Sequence, residues 1–322
     1  MRLDINYNRS MENQSLLSKI IAYIVFFVLL VWFVYYLRSH WSDFTVIYSA
    51  SWLYLIPLSL VALVFLILQG WIYQIIIEPF KIKLKFTEWF GLAVLATLGS
   101  TVFPFGGFGF RAAYLKTKHN FPYSHFLSTL AAATAIELFI MSLTGVVGSV
   151  LVYLQFHLFS LVIFLLYLIV FLIFGGLLLF KPKVPQFKNQ ILQKLANILD
   201  GFRILREDRG QMKKLFLAFF LYAVFLSTMF YLAFHAFKLN ISASQAMIPA
   251  SLSDYTIFIS ILPASLGFYE GAIAFSARFF GFSLAQGLFI SALMRVANVS
   301  WVFILSPVFG YFLFKRGKKI PA

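Results

Sequence analysis

The chain has 322 residues, of which 61% are hydrophobic and only 11% are charged, and its formal net charge is +15. A soluble protein of this size could not bury so much apolar surface, and an outer-membrane barrel would need short alternating segments instead of long apolar runs. The absence of cysteine excludes disulfides and thiol chemistry, and the lysines and arginines lie in short loops, where they orient a membrane protein and meet anionic headgroups rather than nucleic acid. The composition therefore predicts an all-α polytopic membrane protein, with residues 1–322 forming a single integral membrane domain.

The first apolar run covers residues 20–37 and follows Arg2, Arg9 and Lys19. We expect it to be an uncleaved membrane span, because it is long for the apolar region of a signal peptide and no small-x-small cleavage site precedes Arg38. A cleaved signal peptide is the alternative.

Basic segments determine the predicted topology. Residues 81–85, 181–214 and 315–319 are rich in lysine and arginine, which indicates the cytoplasmic side. If every apolar run crossed the membrane, these segments could not all lie on one side. We therefore expect 86–118 and 245–281 to enter and return as re-entrant hairpins from opposite sides. Both termini are then cytoplasmic, in the cytoplasmic (inner) membrane of a bacterium or archaeon.

Six full spans are predicted from apolar runs of about 20 residues. They cover residues 20–37, 52–77, 124–154, 158–180, 215–236 and 286–314. The order span, hairpin, span occurs twice, which predicts a first repeat at 45–160 and a second, inverted repeat at 215–314, joined by the basic connector 181–214. Many transporters have this inverted-topology layout.

Two stretches break the predicted hairpins: "FPFGGFGF" begins at Phe103 and "LPASLGFYEG" begins at Leu262. Non-helical backbone at membrane depth is tolerated where it lines a cavity or faces protein. The N-terminus of a half-helix also offers free N–H groups that suit phosphate. The predicted break residues are Pro104, Gly106, Gly107, Gly109, Pro263, Gly267 and Gly271. For the glycines alone, the alternative is close helix packing.

Charged residues follow both breaks with exchanged signs. Arg111 follows the first break and Glu137 lies 26 residues later, whereas Glu270 follows the second break and Arg295 lies 25 residues later. An ionisable group at mid-membrane costs about 2.5–3.5 kcal/mol on insertion scales, so such groups normally face a polar interior. We predict that these four residues form one internal substrate-binding site. The alternative is two buried ion pairs that only stabilise packing, although such pairs are poor stabilisers.

The acidic residue Asp254, in "SLSDYTIF", also lies within a predicted hairpin. We expect it either to line the same substrate-binding cavity or take up a proton, or to cap the first half-helix of the outer hairpin.

Catalytic and cofactor motifs are absent from the sequence. The five histidines have no metal-binding spacing, and neither a nucleophile elbow nor a phosphate loop occurs. We therefore predict no catalytic residue, no metal and no cofactor.

Two stretches resemble a known family: "FPFGGFGFRAAYLKTKHNFPYSHFLSTLAAATAIELF" and "ILPASLGFYEGAIAFSARFFGFSLAQGLFISALMRVANVSW". They are similar to the membrane domain of lysylphosphatidylglycerol synthases and related flippase-like proteins. The resemblance places Arg111, Glu137, Glu270 and Arg295 at the family's charged positions. One departure is Leu138, since family members often have arginine after the acidic residue. The resemblance implies a stand-alone membrane domain without the aminoacyl-transfer domain.

The function expected from the residues and the resemblance is that of a lipid transporter, or flippase, and not an enzyme. Its expected substrate is a phospholipid or a polyisoprenyl-phosphate-linked lipid, so its partners are membrane lipids with anionic or isoprenoid-phosphate headgroups, and a homo-oligomer is possible. In this hypothesis Arg111 and Arg295 hold the phosphate, while Glu137 and Glu270 balance those charges or carry a coupling proton. The alternatives are a membrane-embedded lipid-modifying transferase subunit and a non-catalytic membrane scaffold.

Overall fold

The computed structural model describes residues 50–103, 106–179, 208–259 and 265–315, and within these ranges all regular structure is helical. The predicted span 20–37, most of the connector 181–214, and the break residues Pro104 and Pro263 lie outside the described residues. The described helices are α1 (Trp52–Ile77), α2 (Phe86–Val102), α3 (Gly106–His119), α4 (Tyr123–Phe156), α5 (Leu161–Leu179), α6 (Arg209–Ala236), α7 (Ala243–Ile259), α8 (Phe268–Phe279) and α9 (Leu284–Lys315), with a 3-10 turn at Glu78–Phe80.

Five of the described helices are long and apolar enough to cross a membrane: α1, α4, α5, α6 and α9. They cover the five predicted spans that fall within the described residues, and this confirms the all-α membrane class. Large apolar side chains such as Leu172 and Ile173 on α5 are exposed, as expected for a surface that faces lipid. The count of six spans stays a prediction.

Helices α1 and α6 pair in antiparallel orientation. At one end the Ser51 N–H donates to the Ala236 carbonyl oxygen at 2.8 Å, and at the other end Gln211 Nε2 donates to the Ile75 carbonyl oxygen at 2.5 Å. Both helices contribute buried apolar residues to the main hydrophobic core, which also includes side chains from α4, α7 and α9. The first helices of the two predicted repeats therefore run in opposite directions.

Helices α2 and α3 form the first hairpin. Tyr114 Oη donates to Glu88 Oε1 at 3.3 Å, and the Gly107 N–H donates to Ser100 Oγ at 3.2 Å. The chain therefore reverses direction between Val102, where α2 ends, and Gly106, where α3 begins.

The predicted extent of the first break needs correction, because Gly106, Gly107 and Gly109 belong to α3. A Cβ atom at Gly106 would collide with the Gly99 backbone, and one at Gly107 would collide with the Ala96 carbonyl oxygen. These two glycines allow α3 to approach α2 closely, which is the packing role given above as the alternative. No atom lies within 4 Å of a Cβ placed at Gly109.

Helices α7 and α8 pack against each other as the second hairpin. Gly267 precedes α8 with a φ of 86°, a left-handed conformation that favours glycine. Gly271 lies inside α8 and not in the break, which corrects the prediction for this residue.

The first helix of each hairpin packs against a long helix of the other half, as two contacts show: α2 against α9, and α7 against α4. The start of α2 packs beside the end of α9, where the Phe90 and Phe309 rings are 5.0 Å apart. The start of α7 packs beside the end of α4, where Ser244 Oγ donates to Gln155 Oε1 at 2.7 Å. The halves differ at their other hairpin helix: α8 packs along α9, whereas α3 makes only marginal contact with α4.

Candidate functional site

Arg111 lies on the buried face of α3 and is only 7% exposed. This face repeats every four residues through Gly107, Arg111 and Leu115, so the packing of α3 against α2 carries the arginine into the protein interior. Its guanidinium carbon lies 3.4 Å from the centre of the Tyr73 ring on α1, a cation–π contact. Its Nε atom is buried and has no hydrogen-bond partner within the described chain.

Arg111 interacts with one carboxylate, which in turn interacts with a second. Glu137 on α4 interacts electrostatically with both Arg111 and Asp254, and Asp254 on α7 is only 2% exposed. Tyr222 on α6 donates a hydrogen bond from its Oη to Asp254 Oδ1 at 2.9 Å. We call Tyr73, Arg111, Glu137, Tyr222 and Asp254 the Arg111 cluster. It brings together five helices from both halves.

The interaction of Arg111 with the carboxylates is not an ion pair. Among the described residues Arg111 forms no such contact, and its interaction with Glu137 acts over a longer distance. The alternative in which Arg111 and Glu137 form a packed ion pair is therefore wrong for this structure. Glu137 and Tyr73 are partly exposed, whereas Arg111 and Asp254 are buried.

Glu270 and Arg295 form a second charged group, the Glu270–Arg295 pair. Arg295 Nε on α9 donates to Glu270 Oε1 on α8 at 2.5 Å, and the side chains are 26% and 23% exposed, respectively. Glu270 Oε2 also accepts a hydrogen bond from the Gly267 N–H at 2.7 Å, so one carboxylate caps α8 and joins it to α9. The Arg295 guanidinium carbon lies 4.8 Å from the centre of the Tyr269 ring.

The sequence-predicted residues therefore divide into two groups. Arg111, Glu137 and Asp254 lie in the Arg111 cluster, while the contacts of Glu270 and Arg295 are with each other and with α8. Asp254 lies well inside α7 and joins the Arg111 cluster, so the alternative in which it caps that half-helix is wrong.

Sequence reasoning missed Tyr73 and Tyr222. No pattern distinguishes them among the 16 tyrosines of the chain, and only the packing of α1 and α6 brings them to the cluster.

The Arg111 cluster is suited to binding an anion at its guanidinium. An arginine can donate two parallel hydrogen bonds to phosphate or carboxylate oxygens, and the Tyr73 ring holds the guanidinium by its face while leaving its edges free to donate. No group of three or more histidine, aspartate or glutamate side chains that could hold a metal occurs among the described residues. The cluster thus offers one strong donor group and two carboxylates in a mostly buried setting.

Comparison with known proteins shows the family. The model of the lysylphosphatidylglycerol synthase transmembrane region matches residues 20–306. The chain belongs to this family. The match includes every residue of the Arg111 cluster and of the Glu270–Arg295 pair, and it confirms the resemblance found in the two quoted stretches. This member of the lysylphosphatidylglycerol synthase transmembrane family is an integral membrane protein related to lipid handling. No curated protein and no solved structure matches the chain.

Proposed function

We propose that this protein is a lipid carrier that moves a phospholipid or a polyisoprenyl-phosphate-linked lipid between leaflets, and that it acts without catalysing a reaction. The Arg111 cluster is the headgroup site. The proposal is carried by the buried Arg111 guanidinium, which forms no ion pair among the described residues and whose Nε lacks a hydrogen-bond partner.

A buried guanidinium that lacks a contact partner inside a membrane protein is expected to bind an anionic ligand. A buried charge without a contact partner is costly, on the order of a few kcal/mol even on the mildest membrane scale. Glu137 lowers this cost from a distance but leaves the Nε donor of Arg111 without a partner among the described residues. A phosphate-containing headgroup accepts two hydrogen bonds from one guanidinium and supplies the missing partner.

The different packing of the two hairpins supports a transport cycle. A carrier built from two inverted halves exposes its central site to one side while the other side is closed. We infer that the two halves form an inverted-topology repeat with re-entrant hairpins. We infer that the entrance to the Arg111 cluster lies between α3 and α4, which make only marginal contact, and that the Glu270–Arg295 pair holds α8 against α9 on the closed side. Both termini then lie in the cytoplasm, on the inner face of the cytoplasmic membrane.

Reconstituted liposomes test the proposal. Fluorescent phosphatidylglycerol or an isoprenyl phosphate is placed in both leaflets, and a membrane-impermeant quencher measures the fraction that reaches the outer leaflet. We expect Arg111→Ala to reduce the transport rate to that of protein-free liposomes. The matched control is Arg278→Ala, since Arg278 is an exposed arginine on a hairpin helix.

Two results would contradict the proposal separately. If a well-reconstituted Arg111→Ala variant transports lipid at the wild-type rate, Arg111 is not part of the headgroup site. Failure of the wild-type protein to move any phospholipid or isoprenyl phosphate above the protein-free rate would remove the carrier function itself.

A further inference from the structure

The charges of the Arg111 cluster do not balance. Arg111 contributes one positive charge, Glu137 and Asp254 contribute two negative charges when ionised, and Tyr73 and Tyr222 are neutral phenols. An uncompensated charge is expensive in a low-dielectric interior and is normally paired or neutralised. An anionic headgroup at Arg111 would increase the excess of negative charge. The proposed function therefore requires a positive partner that the side chains of the cluster do not supply.

The positive partner would bind at the Oδ2 atom of Asp254. Its Oδ1 atom accepts the Tyr222 hydrogen bond, whereas its Oδ2 atom is buried and has no hydrogen-bond partner within the described chain. Buried carboxylate oxygens are rarely left without a donor or a cation. Because Asp254 is only 2% exposed, bulk water does not satisfy this oxygen.

A second unpartnered oxygen lies on the same helix. Ser251 precedes Asp254 by three residues on α7, so the two side chains project from adjacent turns on the same side of the helix. Ser251 is fully buried, and its Oγ atom has no hydrogen-bond partner among the described residues. Serine hydroxyls in helices usually bond to a backbone carbonyl of the preceding turn, as those of Ser142 and Ser149 do here. The free hydroxyl of Ser251 is therefore an independent sign of a missing ligand.

We infer that Asp254, with Ser251 and the nearby carboxylate of Glu137, binds a monovalent cation, either Na⁺ or a proton. The donor set consists of oxygen atoms alone, which is the chemistry that hard cations prefer. The inference rests on the proposed function in one respect: the cation offsets the negative charge that the lipid headgroup brings to Arg111. Lipid and cation then strengthen each other's binding, and by thermodynamic linkage the effect is reciprocal. A cation gradient would thereby drive lipid movement.

The titratable groups that interact with Asp254 lie on α4, on α6 and on α7 itself. Glu137 reaches it from α4 and Tyr222 from α6, while Tyr255 lies beside it on α7, where its Oη contacts Ser142 Oγ at 2.5 Å. Glu137 also interacts electrostatically with Arg111. A proton on Asp254 or Glu137 would therefore neutralise the same negative charge as a Na⁺ ion bound between the two carboxylates.

Thermal unfolding of the purified protein in phosphatidylcholine nanodiscs tests the cation site without any transport measurement. One series replaces choline chloride by NaCl at constant pH and ionic strength, and the other varies pH in choline chloride alone. The variant is Asp254→Asn, which keeps the size of the side chain and an acceptor for Tyr222. The matched control is Asp208→Asn at the exposed N-cap of α6, where asparagine is also a good capping residue.

We expect the unfolding temperature of the wild-type protein and of Asp208→Asn to rise with Na⁺ or to depend on pH, and the Asp254→Asn variant to lose that dependence. A response to Na⁺ at constant pH identifies the metal ion, and a response to pH alone identifies the proton. Ser251→Ala should weaken a Na⁺ response and leave a proton response unchanged. The inference is overturned if Asp254→Asn and the wild-type protein respond equally to both series.

The two proposals fail in distinguishable ways. If the Asp254-dependent cation response is present but liposome transport is absent, the carrier function fails and the cation site remains. If Arg111→Ala abolishes transport while Asp254→Asn leaves every cation response unchanged, the carrier function remains and the cation site fails.

Discussion

The two halves of the protein contain the same charged residue types with exchanged signs, yet they use them differently. Glu270 and Arg295 meet at 2.5 Å, whereas Arg111 and Glu137 interact only over a longer distance. The difference follows from the helices that carry them. Gly287 packs α9 against the Ala274 backbone of α8, whereas α3 packs on α2 and barely touches α4. In a membrane protein, the packing of the helices decides whether opposite charges form a pair or remain available for a ligand.

Double-mutant cycles give the largest expected contrast between the two halves. We expect Glu270→Gln and Arg295→Gln to be coupled in unfolding free energy by about 1–3 kcal/mol, because the two side chains are in contact. Arg111→Gln and Glu137→Gln should be coupled more weakly than the first pair, because the two side chains interact electrostatically without forming a contact. Reversible unfolding in detergent measures both cycles. A strong Arg111–Glu137 coupling together with a weak Glu270–Arg295 coupling would reverse the comparison.

Glycine-to-alanine substitutions test how closely the helices of the two hairpins pack against their neighbours. Gly107→Ala should destabilise the protein by about 1–3 kcal/mol, because the added methyl group would meet the Ala96 carbonyl oxygen. Gly287→Ala should have a similar effect, since its Cβ would lie 2.5 Å from the Ala274 Cα.

The matched controls for these glycines are Gly109→Ala on α3 and Gly271→Ala on α8, where no atom lies within 4 Å of the added Cβ. Alanine is the better helix former, so both controls should be neutral or stabilising by up to about 1 kcal/mol. Equal losses at all four positions would contradict close packing as the reason for Gly107 and Gly287.

The tyrosines of the Arg111 cluster give the smallest expected effects, and they separate ring contacts from hydroxyl contacts. Tyr73→Phe keeps the face that contacts Arg111 and should retain lipid binding, whereas Tyr73→Leu should weaken it by about 2- to 30-fold, the equivalent of roughly 0.5–2 kcal/mol. Tyr222→Phe should instead change the response to cations, because it removes the hydrogen bond to Asp254. Lipid binding and thermal unfolding of the three variants check these expectations, and loss of lipid binding in Tyr73→Phe would contradict the ring contact.

Much of the fold could be predicted because it follows from local hydropathy and charge. The α1 helix has the bounds that its apolar run predicts, and α6 extends the predicted span by several polar residues that hydropathy alone does not assign. The predicted position of the first break is correct, since α2 ends at Val102 and α3 begins at Gly106, but its predicted length is not. Whether Gly106 and Gly107 are helical depends on the contact of α3 with α2, which is a tertiary effect.

The sequence by itself determined that the protein lies in a membrane, which segments form its long apolar helices, and which positions within them are ionisable. Only the tertiary structure decided that Arg111 shares a cluster with Asp254 and two tyrosines, and that Glu270 is paired with Arg295. The physical reason is that hydropathy is a property of neighbouring residues in the chain. Partnership between buried charges depends on helices that are distant in sequence and on how closely their small residues allow them to pack.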